Sequence, residues 1–116
     1  MAQRYNFEQY GIEYGLSQSQ VTSMVQDSKR RLWVTTLGGI SCFNGKQFSS
    51  FGKTNGLNSN FALSLAVSKR NNLLYIGSAK GISRYDGYKF YHYPNSERWI
   101  SKLATDHNGI VYALDG

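Results

Sequence analysis

Two stretches decide how this chain reads: RLWVTTLGGISCFNGKQF, Arg31 to Phe48, and NLLYIGSAKGISRYDGYKF, Asn72 to Phe90. Each runs apolar, aromatic, apolar, then a small polar pair, then Gly-Ile-Ser, an aromatic, Asn-Gly or Asp-Gly, and Phe. Trp33 matches Tyr75, Gly39 matches Gly81, Gly45 matches Gly87 and Phe48 matches Phe90, all 42 residues apart. Gly15-Leu16 recurs as Gly56-Leu57 at a spacing of 41. The extra residue falls in a turn, where SKRR becomes SKRNN. Loops absorb length changes that strands do not, so the difference marks a structural repeat.

The repeat reaches in both directions. FEQYGIEYGL, Phe7 to Leu16, fits on FSSFGKTNGL, Phe48 to Leu57. ISKLATDHNGIVYAL, Ile100 to Leu114, reads like VTSMVQDSKRRLWVT, with Asp106 in the place of Asp27 and Tyr112 in the place of Trp33. Within one unit, VTSMVQD, RLWVTT, GISCF and KQFSSF each read as a strand. Asn44-Gly45 and Asp86-Gly87 are strong hairpin signals, expected as type I′ turns with both central residues at positive φ. Gly38-Gly39 and Lys80-Gly81 turn the chain between the second and third strands. Only SQSQVTSMVQDSKRRL carries a helical period, and its counterpart NSNFALSLAVSKRNNLL leads into the same hairpin, which argues for a strand.

Four short antiparallel strands in about 41 residues is the length of a propeller blade. The fold class is therefore all-β: a partial β-propeller of about two and a half four-stranded blades. The expected division is a trailing outer strand and connector over 1–14, a first blade over 15–55, a second over 56–97 and the start of a third over 98–116. Propellers close with about 4–8 blades. The count implies either a piece of a longer propeller or a short protein whose copies complete a ring.

Composition narrows the function. The net charge is +6, with Lys29-Arg30-Arg31 and Lys69-Arg70 in equivalent turns. These read as solvated turn residues or as attraction to an anionic partner. No nucleic-acid-binding motif accompanies them, so nucleic acid is not an expected partner. No apolar run is long enough to span a membrane, no membrane contact by this segment is expected, and the first residues lack a signal-peptide core. The single cysteine, Cys42, reads as a buried filler of a strand. Cys42, His92 and His107 lack the spacing of a metal site, and neither metal nor cofactor is expected.

GLSQSQVTSMVQDSKRRLWVTTLGGISCFNGKQFSSF resembles the two-component regulator propeller repeat: Gly-Leu, a polar stretch, Val, Asp, a polar turn, Leu-Trp-Val, then Gly-Ile, an aromatic and Asn-Gly. Thr35 stands where the family usually has Gly, which the second unit keeps as Gly77; Ser68 replaces Asp27 there. The resemblance implies an extracytoplasmic or periplasmic sensor segment of a hybrid histidine kinase, sensing an oligosaccharide or similar ligand and signalling through dimerisation. The kinase parts are not in this sequence, so the chain itself is not expected to be an enzyme. The alternative is a stand-alone protein-interaction module completed by oligomerisation. The expected partners are an oligosaccharide and further blades or other copies of the chain.

Function is expected where the copies differ. Connectors between blades and the loops between second and third strands share one face of such repeats, often the binding face. Gly15, Leu16, Gly56 and Leu57 read as structural, like Trp33, Gly39, Gly45, Tyr75, Gly81 and Gly87. Gln18, Gln20, Asn58 and Asn60, just before the inner strands, are ligand candidates or caps of loop backbone. Lys80 sits in a second-to-third strand loop. The third connector lacks Gly-Leu and brings Arg98-Trp99, suited to gripping a carboxylate and stacking on a sugar ring, or to packing at the strand entrance. The stretch YKFYHYP reads as an outer strand packed on a neighbour. Glu8, Glu13, Asp27, Asp86, Glu97, Asp106 and Asp115 offer no convergent acid pair, and no residue is assigned a catalytic role.

Overall fold

A computed structural model describes residues 21–36, 38–57, 59, 61–94 and 96–115. Gly15, Leu16, Gln18, Gln20, Asn58 and Asn60 lie outside the described residues, as does the expected trailing strand. Ten strands follow in order: β1 Val21–Gln26, β2 Leu32–Thr36, β3 Gly39–Phe43, β4 Phe48–Phe51, β5 Ala62–Ser68, β6 Leu73–Ser78, β7 Gly81–Tyr85, β8 Phe90–His92, β9 Ile100–Thr105 and β10 Val111–Asp115. They form two four-stranded meanders, β1 to β4 and β5 to β8, and a β9–β10 pair. Every pairing is antiparallel. This is two blades and half of a third.

The core lies between blades. Trp33, Ile40 and Cys42 of the first sheet meet Leu65, Val67, Leu74 and Ile76 of the second. Trp33 pairs across the ladder with Cys42, and Thr35 with Ile40, so the period of two puts Trp33, Cys42 and Ile40 on one face. Tyr85 and Phe90 of the second sheet cap that face: Tyr85 lies 5.5 Å from the Trp33 ring and 5.7 Å from Phe51, and Phe90 lies 5.9 Å from Phe51. Val34, Phe43 and Phe48 form a second cluster on the opposite face of the first sheet. Burying one such side chain contributes about 1.5–3 kcal/mol. Cys42 is a buried free thiol, and burial raises its pKa to about 11.

The inner strands are laced side by side. Thr22 donates to the Ala62 carbonyl at 2.9 Å, and Thr105 donates to the Val67 carbonyl at 2.9 Å. Within the region that carried a helical period, Val21–Gln26 form β1, which pairs with β2.

Two turns differ from expectation. Arg30 and Asn72 are the described non-glycine residues with positive φ, so neither Asn44 nor Asp86 adopts the type I′ conformation. The Asn44 amide bonds instead to the Gln47 carbonyl, which puts Gly45 and Lys46 at the tip. Asn44 closes the turn with its side chain, accepting from the Lys46 and Gln47 amides at 2.9 and 3.1 Å. Asp86 does the same for Tyr88 and Lys89. A side-chain acceptor replaces the backbone conformation that the dipeptide alone suggests.

Candidate binding face

Antiparallel order places the connectors and the β2–β3 and β6–β7 turns at one end of the molecule. The first connector leaves β4 through a short 3-10 turn, Lys53–Asn55, ended by Gly56 in the left-handed region at φ 100°. Leu57 then plunges into the inter-blade core, 2% exposed. Buried Ser59 accepts a hydrogen bond from the Phe61 amide at 3.1 Å. The Gly-Leu pair thus closes the turn and pins the connector.

Gly39 and Gly81 hold these crossings in place. A Cβ on Gly39 would lie 2.6 Å from the Phe51 carbonyl oxygen, and one on Gly81 would lie 2.5 Å from the Ser96 carbonyl oxygen. The first turn is roofed by the end of β4, where the connector begins, and the second by the connector of its own blade. Ser96 fixes the second roof: its hydroxyl accepts from the Ile82 amide and donates to the Tyr93 carbonyl.

Lys80, Arg98 and Trp99 all lie at this end. Lys80 is exposed at the tip of the β6–β7 turn, its amide donating to the Ser78 hydroxyl. Ser96, which touches Gly81, is two residues from Arg98. Trp99 is half exposed, at 51%, so it is not a buried packing residue at the entrance to β9. Arg98 holds a carboxylate of this chain, Asp115, at 2.9 Å. An open groove of about 290 Å³ lies over the first blade, lined by Gly38, Ser50, Phe51, Lys53, Thr54 and Asn55. Lys53 to Asn55 carry no motif and were not legible as a groove wall, because only the 3-10 turn aligns them.

Asp27 is more than a turn former. Its Oδ1 accepts from the Lys29 and Arg31 amides, and its Oδ2 accepts from Arg31 Nε at 2.8 Å and Trp33 Nε1 at 3.0 Å. Burial pushes its carboxyl pKa upward, yet the bonds from Trp33 and Arg31 and the Arg31 charge outweigh this and hold it below the ordinary value. Asp106 repeats the arrangement in the third sheet, accepting from the Asn108 and Ile110 amides and the Tyr112 hydroxyl. In the second sheet Ser68 takes the position, and its buried hydroxyl has no partner among the described residues.

The face that the second sheet turns toward the third differs in chemistry from the face that the first turns toward the second. Arg84 lies 4.9 Å over the Tyr91 ring and 5.7 Å from Tyr93, whose hydroxyl it also reaches at 3.4 Å. Tyr75 stacks on Tyr93 at 6.4 Å. Of the aromatic stretch, Phe90 packs on the first blade, Tyr91 and Tyr93 join this Arg84 cluster, and Tyr88 is 93% exposed. Among the described residues no group of His, Cys, Asp and Glu is placed to hold a metal ion.

Comparison with known proteins agrees with this geometry. No curated protein matches the chain. Among solved structures, the extracellular domain of a hybrid two-component system protein of B. thetaiotaomicron superposes with a TM-score of 0.70 at 23% identity, over 85% of this chain. The chain spans 15% of the length of that structure. Residues 15–38 match the family model described as two component regulator propeller. The stretch that carries Asp27 and Trp33 thus matches a two-component regulator propeller repeat, and its described strands β1 and β2 form the inner half of a blade.

Proposed function

We propose that this chain is a ligand-sensing propeller segment of a two-component signal-transduction regulator, acting outside the cytoplasm and recognising an oligosaccharide or a similar ligand. The observation that carries the reading is the repeat match over residues 15–38, which includes the Asp27–Trp33 anchor. The fold likeness to an extracellular domain supports the location. No described helix is long and apolar enough to cross a membrane. The role is binding, with any kinase chemistry in other parts of a longer protein.

The connector face supplies the groups that sugars need. Trp99 offers an exposed ring for stacking, and Ser50, Thr54 and Asn55 line an open groove with hydrogen-bonding groups. A glycan array probed with the chain, followed by titration calorimetry on the strongest hit, tests this. Binding that weakens about tenfold or more in Trp99→Ala is the expected outcome. Absence of any glycan hit, or binding indifferent to Trp99→Ala, would sink it.

A second reading rests on a separate observation. Ile110, just before β10, and Tyr112 and Leu114 along it are all more than half exposed. Such an apolar strip suits coverage by further strands, from a longer chain or from other copies. Sedimentation velocity separates the two: a discrete oligomer supports the interaction module, and a monomer removes it.

A further inference from the structure

The end of the molecule opposite the connectors holds a feature that ligand sensing at the connector face leaves unused. Turns from both blades meet there around a cleft of about 200 Å³. Trp33, Val67 and Leu74 give it an apolar side, and Lys29, Arg31 and Tyr88 line the rest together with two acids. Tyr88 is almost wholly exposed and Lys29 is exposed. Arg31 donates from Nε to Asp27 and lies over the Trp33 ring at 5.6 Å, with its side chain still 36% exposed. Its terminal nitrogens have no acceptor among the described residues.

Of the two acids of the cleft, Asp27 is buried and turned inward, whereas Asp86 is exposed. Both oxygens of Asp27 accept hydrogen bonds from its own turn and from Trp33. Asp86 accepts from the Tyr88 and Lys89 amides through Oδ1 alone. Apart from Asp86, the outward charges of these turns are cationic. The neighbouring turns carry Arg30, Lys69 and Arg70 at the same end, and hydrogen bonds from Ser28 to Asn72 and from Arg70 to Asn108 hold those turns edge to edge. The basic clusters of the sequence thus converge on one rim.

We infer that this cleft binds a small organic monocarboxylate with an apolar body about the size of one ring. A cavity of about 150 Å³ takes benzene, so this one has room for a ring and its acid group. The free fork of Arg31 suits bidentate contact with a carboxylate, Lys29 adds an unshared charge, and Tyr88 supplies a flat wall. The site is independent of the glycan-binding proposal and lies at the other end of the strands.

Titration of the isotope-labelled chain with benzoate, followed by amide and indole resonances, tests it, with benzyl alcohol and inorganic phosphate as controls. Benzoate is expected to shift the Trp33 indole and the Lys29 and Tyr88 amides saturably, and several times more tightly than either control. Lys29→Ala and Tyr88→Ala, at exposed positions, are each expected to raise Kd about two- to fivefold. Equal binding of benzyl alcohol overturns the carboxylate assignment. No saturable shift, shifts confined to the Lys80 and Trp99 end, or an unchanged Kd in Lys29→Glu overturns the site.

Discussion

The Asp27 carboxylate shows how much one side chain organises. It satisfies two backbone amides, a guanidinium and an indole, all within seven residues of chain. Removing it as Asp27→Ala orphans buried donors, and a loss of about 3 kcal/mol in denaturant unfolding is expected. Its folded pKa lies below the unfolded value, so its contribution is full above pH about 4 and fades as pH falls through the lower folded value. Asp27→Asn should therefore show a shallower loss of stability on acidification than the parent, measured as midpoint against pH. Ser68 offers the opposite case: its buried hydroxyl lacks a partner among the described residues, so Ser68→Ala is expected to leave stability unchanged or raise it by up to about 1 kcal/mol. Asp27 was legible as a turn residue because Asp106 occupies the same place in the repeat. Its burial was not, since that depends on Trp33 folding back six residues later to donate its indole N–H.

At the scale of the element, the turns decide. The period of two and the β-branched, aromatic runs made β2, β3, β6 and β7 plain in the sequence, and the one-residue difference between copies does lie in a turn. Three residues, 28–30, separate the paired Asp27 and Arg31, whereas four, 69–72, separate Ser68 and Leu73. Both turns put a non-glycine residue in the left-handed region, Arg30 at φ 64° and Asn72 at φ 56°, where the third sheet has Gly109 at φ 84°. Arg30→Gly is accordingly expected to stabilise by about 0.5–1 kcal/mol, or at least not to destabilise, in thermal unfolding. Gly39 and Gly81 are less forgiving. Ala at either would drive a methyl into a backbone carbonyl oxygen, of Phe51 at the end of β4 or of Ser96 in the connector, as well as force a strained φ, and a loss of about 2 kcal/mol or more is expected. The sequence shows these glycines as turn residues. It cannot show the chain passing over them, because that contact joins residues more than ten apart through the geometry of a whole blade.

The whole molecule is held by a core that belongs to no single sheet. Leu57 enters it from a connector, Trp33 from the first blade and Ile76 from the second. Leu57→Ala should cost about 2–5 kcal/mol, and the first two sheets should lose structure together in one transition seen alike by circular dichroism and Trp fluorescence. Cys42, in the same core with its thiol pKa at about 11, should resist iodoacetamide at pH 8 in the folded chain and react on unfolding. The repeat made this architecture legible, whereas the candidate faces depend on which side of each sheet a residue occupies and what covers it. The pairing of Trp33 with Cys42, and of Tyr75 with Arg84, puts a thiol and a guanidinium at matching addresses in successive blades. The copies are therefore alike in backbone and unlike in what they accept as a neighbour. Were the second unit to dock where the first belongs, Arg84 would be driven against the rings of Tyr85 and Phe90 with no acceptor, at the cost of burying an unpaired charge. Chains of near-identical repeats are prone to misassembly out of order. Here Arg84 sets the second blade apart from the first at that position.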